Sequence, residues 1–202
     1  MNKYSVFFLV ILLISCNYEN KKKLKYERVI SYESISDFKI KTEYYEINDT
    51  SLIKNQVWYF KANSNIIDSL KGKFYKLKRN KHSFKKNGNY TITGKLNLYH
   101  KNENIESPLD ETYLRLWIGY YKNKKLNYYE FNSTNKNVIE FEYENDNDTL
   151  FGILFITKTY DTIVNNKKML RYTEDAVFID NEMQTDNPFI DVFATKKEYL
   201  SE

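Results

Sequence analysis

Cysteine, histidine, proline and glycine are all scarce in this chain. Its 202 residues hold one Cys, two His, two Pro and five Gly. With Cys16 alone, the chain can form no intramolecular disulfide and no cysteine-based metal cluster. His82 and His100 lie apart, in the hydrophilic settings Lys81-His82-Ser83 and Tyr99-His100-Lys101. A zinc site built on them would need both plus carboxylates from afar, so they read as surface residues and no metal is expected. Five scattered glycines do not make a phosphate-binding loop, and there is no G-x-S-x-G elbow to mark a serine nucleophile. A Ser-His-Asp triad is defined in space, and sequence nominates none. No catalytic residue is therefore named, no cofactor is implied, and an enzyme is the less favoured reading.

An excess of one charge sign is also missing from the bulk of the chain. The formal net charge is +4, from 31 Lys and Arg against 27 Asp and Glu. Residues 1–25 contain Lys3, Lys21, Lys22, Lys23 and Lys25 against Glu19; subtracting these leaves 26 basic and 26 acidic residues in 26–202. Phosphate backbones are held by clustered Lys and Arg that displace counterions, so a neutral domain excludes nucleic acid from the expected partners. The positive excess sits in the N-terminal segment, where anionic headgroups would attract it.

What the chain has in quantity is aromatic and β-branched residues. Nineteen Tyr and thirteen Phe lean the composition towards β-structure. The clearest signal is alternation. Tyr90, Ile92, Gly94, Leu96 and Leu98 share one face of a segment whose other face carries Thr91, Thr93, Lys95 and Asn97. Ile139, Phe141 and Tyr143 oppose Glu140, Glu142 and Glu144. This period of two is that of half-buried strands. Thr112–Tyr121 and Leu150–Thr157 are apolar on both faces and are expected to be central. Weaker strand candidates are Val29–Ser34, Lys39–Ile47, Gln56–Lys61, Phe74–Arg79, Leu126–Phe131, Met169–Ile179 and Phe189–Phe193.

Turn clusters separate these runs at Lys86–Asn89, Asn132–Asn135 and Asn145–Asp148, where Asn, Asp and Gly tolerate turn geometry. A short helix is predicted at Asn65–Leu70, stopped by Gly72, and another at Lys196–Glu202. The expected fold is all-β: an antiparallel two-sheet β-sandwich or jelly roll with one or two short helices. Strand order does not follow from the pattern.

The N-terminus reads separately. After Met1–Ser5, with its single Lys, Val6–Ile14 is an unbroken apolar run. As a helix rising ~1.5 Å per residue it would cross about half of a ~30 Å hydrocarbon core, which suits a signal-peptide core and not a permanent span. Leu13-Ile14-Ser15-Cys16 resembles the lipobox of bacterial lipoproteins. That resemblance implies cleavage before Cys16 and diacylglyceryl transfer to its thiol, the one side chain able to act as a thiolate nucleophile here. Two or three acyl chains would anchor the chain stably where one would not. The implied organisation is a signal peptide over 1–15, a lipidated Cys16 with a basic tether over 16–25, and one domain over 26–202. Asn17 is not the Asp that marks inner-membrane retention. The expected location is the cell envelope, at the outer membrane and facing the periplasm.

Two further features bear on partners. Trp117, Tyr120, Tyr121, Tyr128 and Tyr129 cluster on two neighbouring candidate strands, and Trp58, Tyr59 and Phe60 form another group. Aromatic rings on an exposed sheet face can stack on sugars or anchor a protein partner; buried, they fill the core. If one face is exposed, the odd positions Tyr113, Arg115, Trp117 and Tyr121 form it, because that parity carries the Arg. Asp68-Ser69-Leu70, Asp148-Thr149-Leu150 and Asp161-Thr162-Ile163 resemble the O-glycosylation signature of Bacteroidota. The resemblance makes Ser69, Thr149 and Thr162 candidate glycosylation sites, which requires them to be accessible. The Asn145–Asp148 cluster lacks the Gly and distal Glu of a calcium loop and reads as a turn. The leading expectation is a lipid-anchored binding or accessory module with a glycan or envelope protein as partner. The alternatives are a glycan-binding module on the Trp117 face, a carboxylate-based glycan hydrolase, and an immunity or inhibitor lipoprotein.

Overall fold

The computed structural model describes residues 25–192 except 49–50, 62–63, 70, 87–88, 101–110, 134–136 and 147; the side chains of 82–86, 89 and 111 also lie outside the description. In chain order the strands are β1 (Tyr26–Ile35), β2 (Phe38–Asn48), β3 (Ser51–Lys61), β4 (Lys73–Lys86), β5 (Asn89–His100), β6 (Glu111–Lys122), β7 (Lys125–Asn132), β8 (Val138–Asn145), β9 (Phe151–Val164), β10 (Lys167–Asp180) and the short β11 (Gln184–Thr185). A helical turn, α1, covers 188–192. All strand pairs are antiparallel. They form a seven-stranded sheet, β11-β1-β2-β3-β4-β5-β8, and a four-stranded sheet, β10-β9-β6-β7. The molecule is an all-β sandwich, as the alternation implies.

Tight hairpins connect neighbouring strands. Asn123-Lys124 joins β6 to β7 and Asn165-Asn166 joins β9 to β10, with both residues of each pair at positive φ. That is the turn whose twist matches antiparallel strands, and Asn accepts it more readily than most residues.

The apolar run of β6 and β9 is explained by burial on both faces. Leu114, Leu116, Ile118, Leu154 and Ile156 join one core cluster with Ile92, Leu96 and Leu98 of β5 and Ile139, Phe141 and Tyr143 of β8. Ile153 and Phe178, from the opposite face of the same sheet, join a second cluster with Tyr26 of β1, Tyr45 of β2 and Phe189 and Ile190 of α1. The larger sheet therefore reaches around the β10 edge of the smaller one. It bends between β3 and β4, which share a single register pair, Val57 with Lys73. Buried Asn55 fixes the wrap: its amide nitrogen donates to the Phe178 carbonyl (3.1 Å), and its oxygen accepts from the Phe178 N–H (2.7 Å). A side-chain amide thus supplies the hydrogen bonds a further strand would have given the β10 edge.

Two expected elements differ. Residues 64–69 are not helical. Ile67 bridges Phe60 and the Asp68 N–H donates to the Tyr59 carbonyl (2.8 Å), because the sparse β3–β4 pairing leaves the β3 edge free to take this segment. Gly72 serves that turn: its φ is +85°, and a Cβ there would come within 2.4 Å of the Val57 carbonyl oxygen. Over Phe189–Phe193 the expected strand is helical at 188–192, and Phe193 lies outside the described residues. Asn187 is the reason. Its oxygen accepts from the Phe189 N–H (3.0 Å), with Pro188 at the first helical position. Helical geometry also lets adjacent Phe189 and Ile190 both be buried. The segment Lys196–Glu202 lies outside the described residues, as do Cys16 and the apolar run before it.

Candidate functional site

The face of β6 turned towards the second core cluster carries Tyr113, Arg115, Trp117 and Tyr121, of which Trp117 packs against that cluster and Tyr113 and Tyr121 are exposed, while Leu114, Leu116 and Ile118 point into the first. Trp117 is half-buried and closely partnered. It stacks on Tyr128 with centroids 4.4 Å apart, meets Phe155 edge-on at 4.9 Å, and donates its indole N–H to Glu130 (2.9 Å). The Arg115 guanidinium lies 5.3 Å from the Trp117 ring and 5.2 Å from Phe155, with Glu174 at 3.9 Å. These contacts build a cross-strand ladder that stiffens the sheet. Trp58, in the other aromatic group, is half-buried too, against Phe74 at 5.9 Å and beneath Lys41.

Tyr121 has a different setting. It ends the same row, 57% exposed, with its ring 5.7 Å from that of Phe151. Phe151 can lie there because Gly119 has no side chain; a Cβ at Gly119 would stand 2.1 Å from the Phe151 ring. The two rings form one wall of a cavity of about 300 Å³. The end of β8 and the connection to β9 supply Asn145, Asp146 and Thr149, and the end of β10 with β11 and the residues around it supplies Asp180, Asn181, Glu182, Gln184, Thr185 and Asp186. Of the four positions on the β6 face, Tyr121 alone lines this cavity. Tyr113, Arg115 and Trp117 continue the row away from it.

Two amides brace the rim. Asn181 donates to the Asp148 carbonyl (2.9 Å) and accepts from the Leu150 N–H (2.9 Å). Asn145 accepts from the Asp146 N–H (3.0 Å) and donates to the Thr149 carbonyl (3.3 Å). At the base, buried Asp180 accepts from the Tyr45 hydroxyl, from Thr185 Oγ1 (2.6 Å) and from Asn187 Nδ2 (3.2 Å). Burial pushes the Asp180 carboxyl up to about 6, against the opposing pull of these donors and of Arg28. Burial likewise drives the Tyr45 hydroxyl far above its ordinary value, so it stays a donor. Among the described residues the lining carries Asp146, Asp180, Glu182 and Asp186 and no Lys, Arg or His. A ligand for such a cavity is neutral or cationic, polar at its edges and flat enough to lie on a tyrosine ring.

The remaining expected positions scatter. Ser69 and Thr149 are exposed, in turn regions, and Thr162 is half-buried on β9. His100 lies at the end of β5, 3.7 Å from Asp175 and 3.0 Å from Lys158; the side chain of His82 is outside the description. Among the described residues no three His, Cys, Asp or Glu side chains converge in a manner suited to a metal ion.

Sequence reasoning marked Tyr121 and the Asn145–Asp148 turn but did not join them, and it missed Asp180 and the segment after it. The available signal was the Asp180–Asn187 segment, polar except for Met183, directly after the apolar Ala176–Ile179. No family model matches the chain, and no curated protein or solved structure matches it either.

Proposed function

We propose that this chain is a lipid-anchored lipoprotein of the cell envelope, held through Cys16 and facing the periplasm at the outer membrane. We infer that its domain is a non-enzymatic binding module for a neutral or amino-bearing glycan. The observation that supports this reading is the cavity walled by Tyr121 and Phe151, braced by amides and lined by carboxyl groups with no basic side chain among the described residues. Sugar rings offer an apolar face for the tyrosine and hydroxyls for the rim, and an amino group would find the carboxylates.

The hydrolase reading has less support. Asp180 has the raised affinity for protons that a general acid needs, but both of its oxygens already accept from Thr185, Tyr45 and Asn187. Its role in this geometry is to hold the cavity floor. The glycan-binding alternative on the Trp117 face is narrowed to the Tyr121 end of that face, since the Trp117 ring is stacked on Tyr128.

The test is calorimetric titration of the wild-type chain and of Tyr121→Ala with neutral and amino-sugar oligosaccharides. Tyr121 is exposed, so its removal leaves folding intact. Loss of a stacked ring is expected to weaken binding by about 1–2 kcal/mol, roughly tenfold. Equal binding by both proteins, or none by either, rejects the glycan site.

A further inference from the structure

The ribbon formed by the far ends of β9 and β10 has no place in the proposed binding site. The register between β6 and β9 ends at Glu111 with Thr159, while β9 and β10 remain paired out to Val164 with Lys167. Among the described residues no third strand pairs with residues 160–171, so both edges of this ribbon are open. An isolated two-stranded ribbon is marginal in water, and an open apolar edge invites association.

Its side chains are unusual for a solvated hairpin. Ile163 is 71% exposed and Leu170 65%, and both belong to one face of the ribbon; Met169 and Val164, on the other face, are about half exposed. The charges among these residues are Lys167, Lys168 and Arg171 against Asp161. In a domain that is formally neutral over 26–202, this tip is cationic. Exposed apolar side chains flanked by Lys and Arg are what inserts at an anionic membrane surface: the basic residues are drawn to the headgroups, and the apolar groups enter the headgroup boundary. The open backbone edges limit the depth, since they must stay hydrated or bond headgroups.

We propose that the β9–β10 tip is a membrane contact that docks on an anionic lipid surface. The start of the domain lies at the other end of β10. Asp180 bonds Thr185, which pairs with Tyr26, while the tip is 14 residues away along β10, on the order of 45 Å. A chain held at both ends would lie along the surface with the Tyr121 cavity at the anchored end. This inference does not depend on Cys16 being lipidated.

The experiment reconstitutes the full chain, with Val164→Cys carrying an environment-sensitive fluorophore, into two kinds of vesicle. One is phosphatidylcholine alone, the other an equal mixture of phosphatidylcholine and phosphatidylglycerol. Wild-type chain taken through the same labelling shows by its mass whether Cys16 is blocked; if it is not, Cys16→Ser is added to the labelled chain. The expected result is a blue-shifted emission and several-fold stronger quenching by nitroxide lipids in the anionic vesicles, both reversed by high salt. Lys167→Glu with Lys168→Glu should abolish the shift, while unchanged far-ultraviolet circular dichroism shows the fold retained. A label that stays in water in both vesicles overturns the proposal and leaves the open edges to strand addition by a protein. A shift that survives the charge reversal overturns it as well.

Discussion

At the scale of single residues, Asp180 and Asp175 give the molecule opposite responses to pH. Asp180 titrates at about 6 in the folded protein because burial disfavours its charge. In an unfolded chain an Asp titrates near ~4, so between these values the folded state holds the extra proton. Stability from this group therefore rises as pH falls from 7 through 6 and levels off near 4. The difference corresponds to at most about 3 kcal/mol. For Asp175, burial works upward too, but hydrogen bonds and charge from His100 and Lys73 outweigh it and hold the carboxyl well below its ordinary range. Its contribution is present above about pH 4 and is lost as pH falls further. The thermal midpoint is thus expected to climb on acidification from pH 7, peak between about 4 and 5, and drop below. Asp180→Asn should flatten the climb and leave the acid-side drop. A variant that keeps the full climb would show that another group carries it.

At the scale of elements, alternation was legible wherever a strand has one wet face. Ile139, Phe141 and Tyr143 are buried while Glu140, Glu142 and Glu144 are exposed, as the period of two requires. In β6 the pattern could not assign the faces, because both are apolar and both are covered. The helix expected at Asn65–Leu70 failed for a reason no local propensity contains: the open β3 edge takes that segment as an extended partner. The opposite error, a strand expected where α1 forms, ignored a local signal, since Asn187-Pro188 is a helix-start pair. Beyond Thr159 the β9–β10 ribbon has no third strand paired to it among the described residues. Its amides over 160–171 should therefore exchange with solvent deuterium well before those of Leu114–Ile118. Ile163→Ser with Leu170→Ser should change global stability by no more than about 0.5 kcal/mol, read by chemical denaturation. A larger loss, or slow exchange along the ribbon, would mean that the core does extend to it.

At the scale of the whole molecule, the proposed anchor, cavity and tip divide the chain into parts that are separately testable. Cys16→Ser is expected to abolish incorporation of radiolabelled fatty acid and to release the protein from the membrane fraction once the apolar run 6–14 is replaced by a cleavable secretory signal. Retention of the label in that variant would reject lipidation at Cys16. Native mass spectrometry reads Ser69, Thr149 and Thr162 in the same sample, and an unmodified mass rejects glycosylation at all three. The sequence by itself determined the all-β class and the buried faces of β5 and β8, because period-two burial is a property of a few adjacent residues; it did not mark the tight turns at Asn123-Lys124 and Asn165-Asn166. It also marked Cys16, whose setting is equally local. The tertiary structure alone decided that the seven-stranded sheet wraps both faces of the four-stranded one, that Trp117 is stacked while Tyr121 opens on a cavity, and that among the described residues no third strand pairs with the β9–β10 ribbon beyond Thr159. Each of these depends on contacts between residues far apart in the chain, such as Asn55 with Phe178 and Tyr45 with Asp180. Such contacts form only when the free energy of burying both partners outweighs the entropy of bringing them together, and no window of neighbouring residues contains that balance.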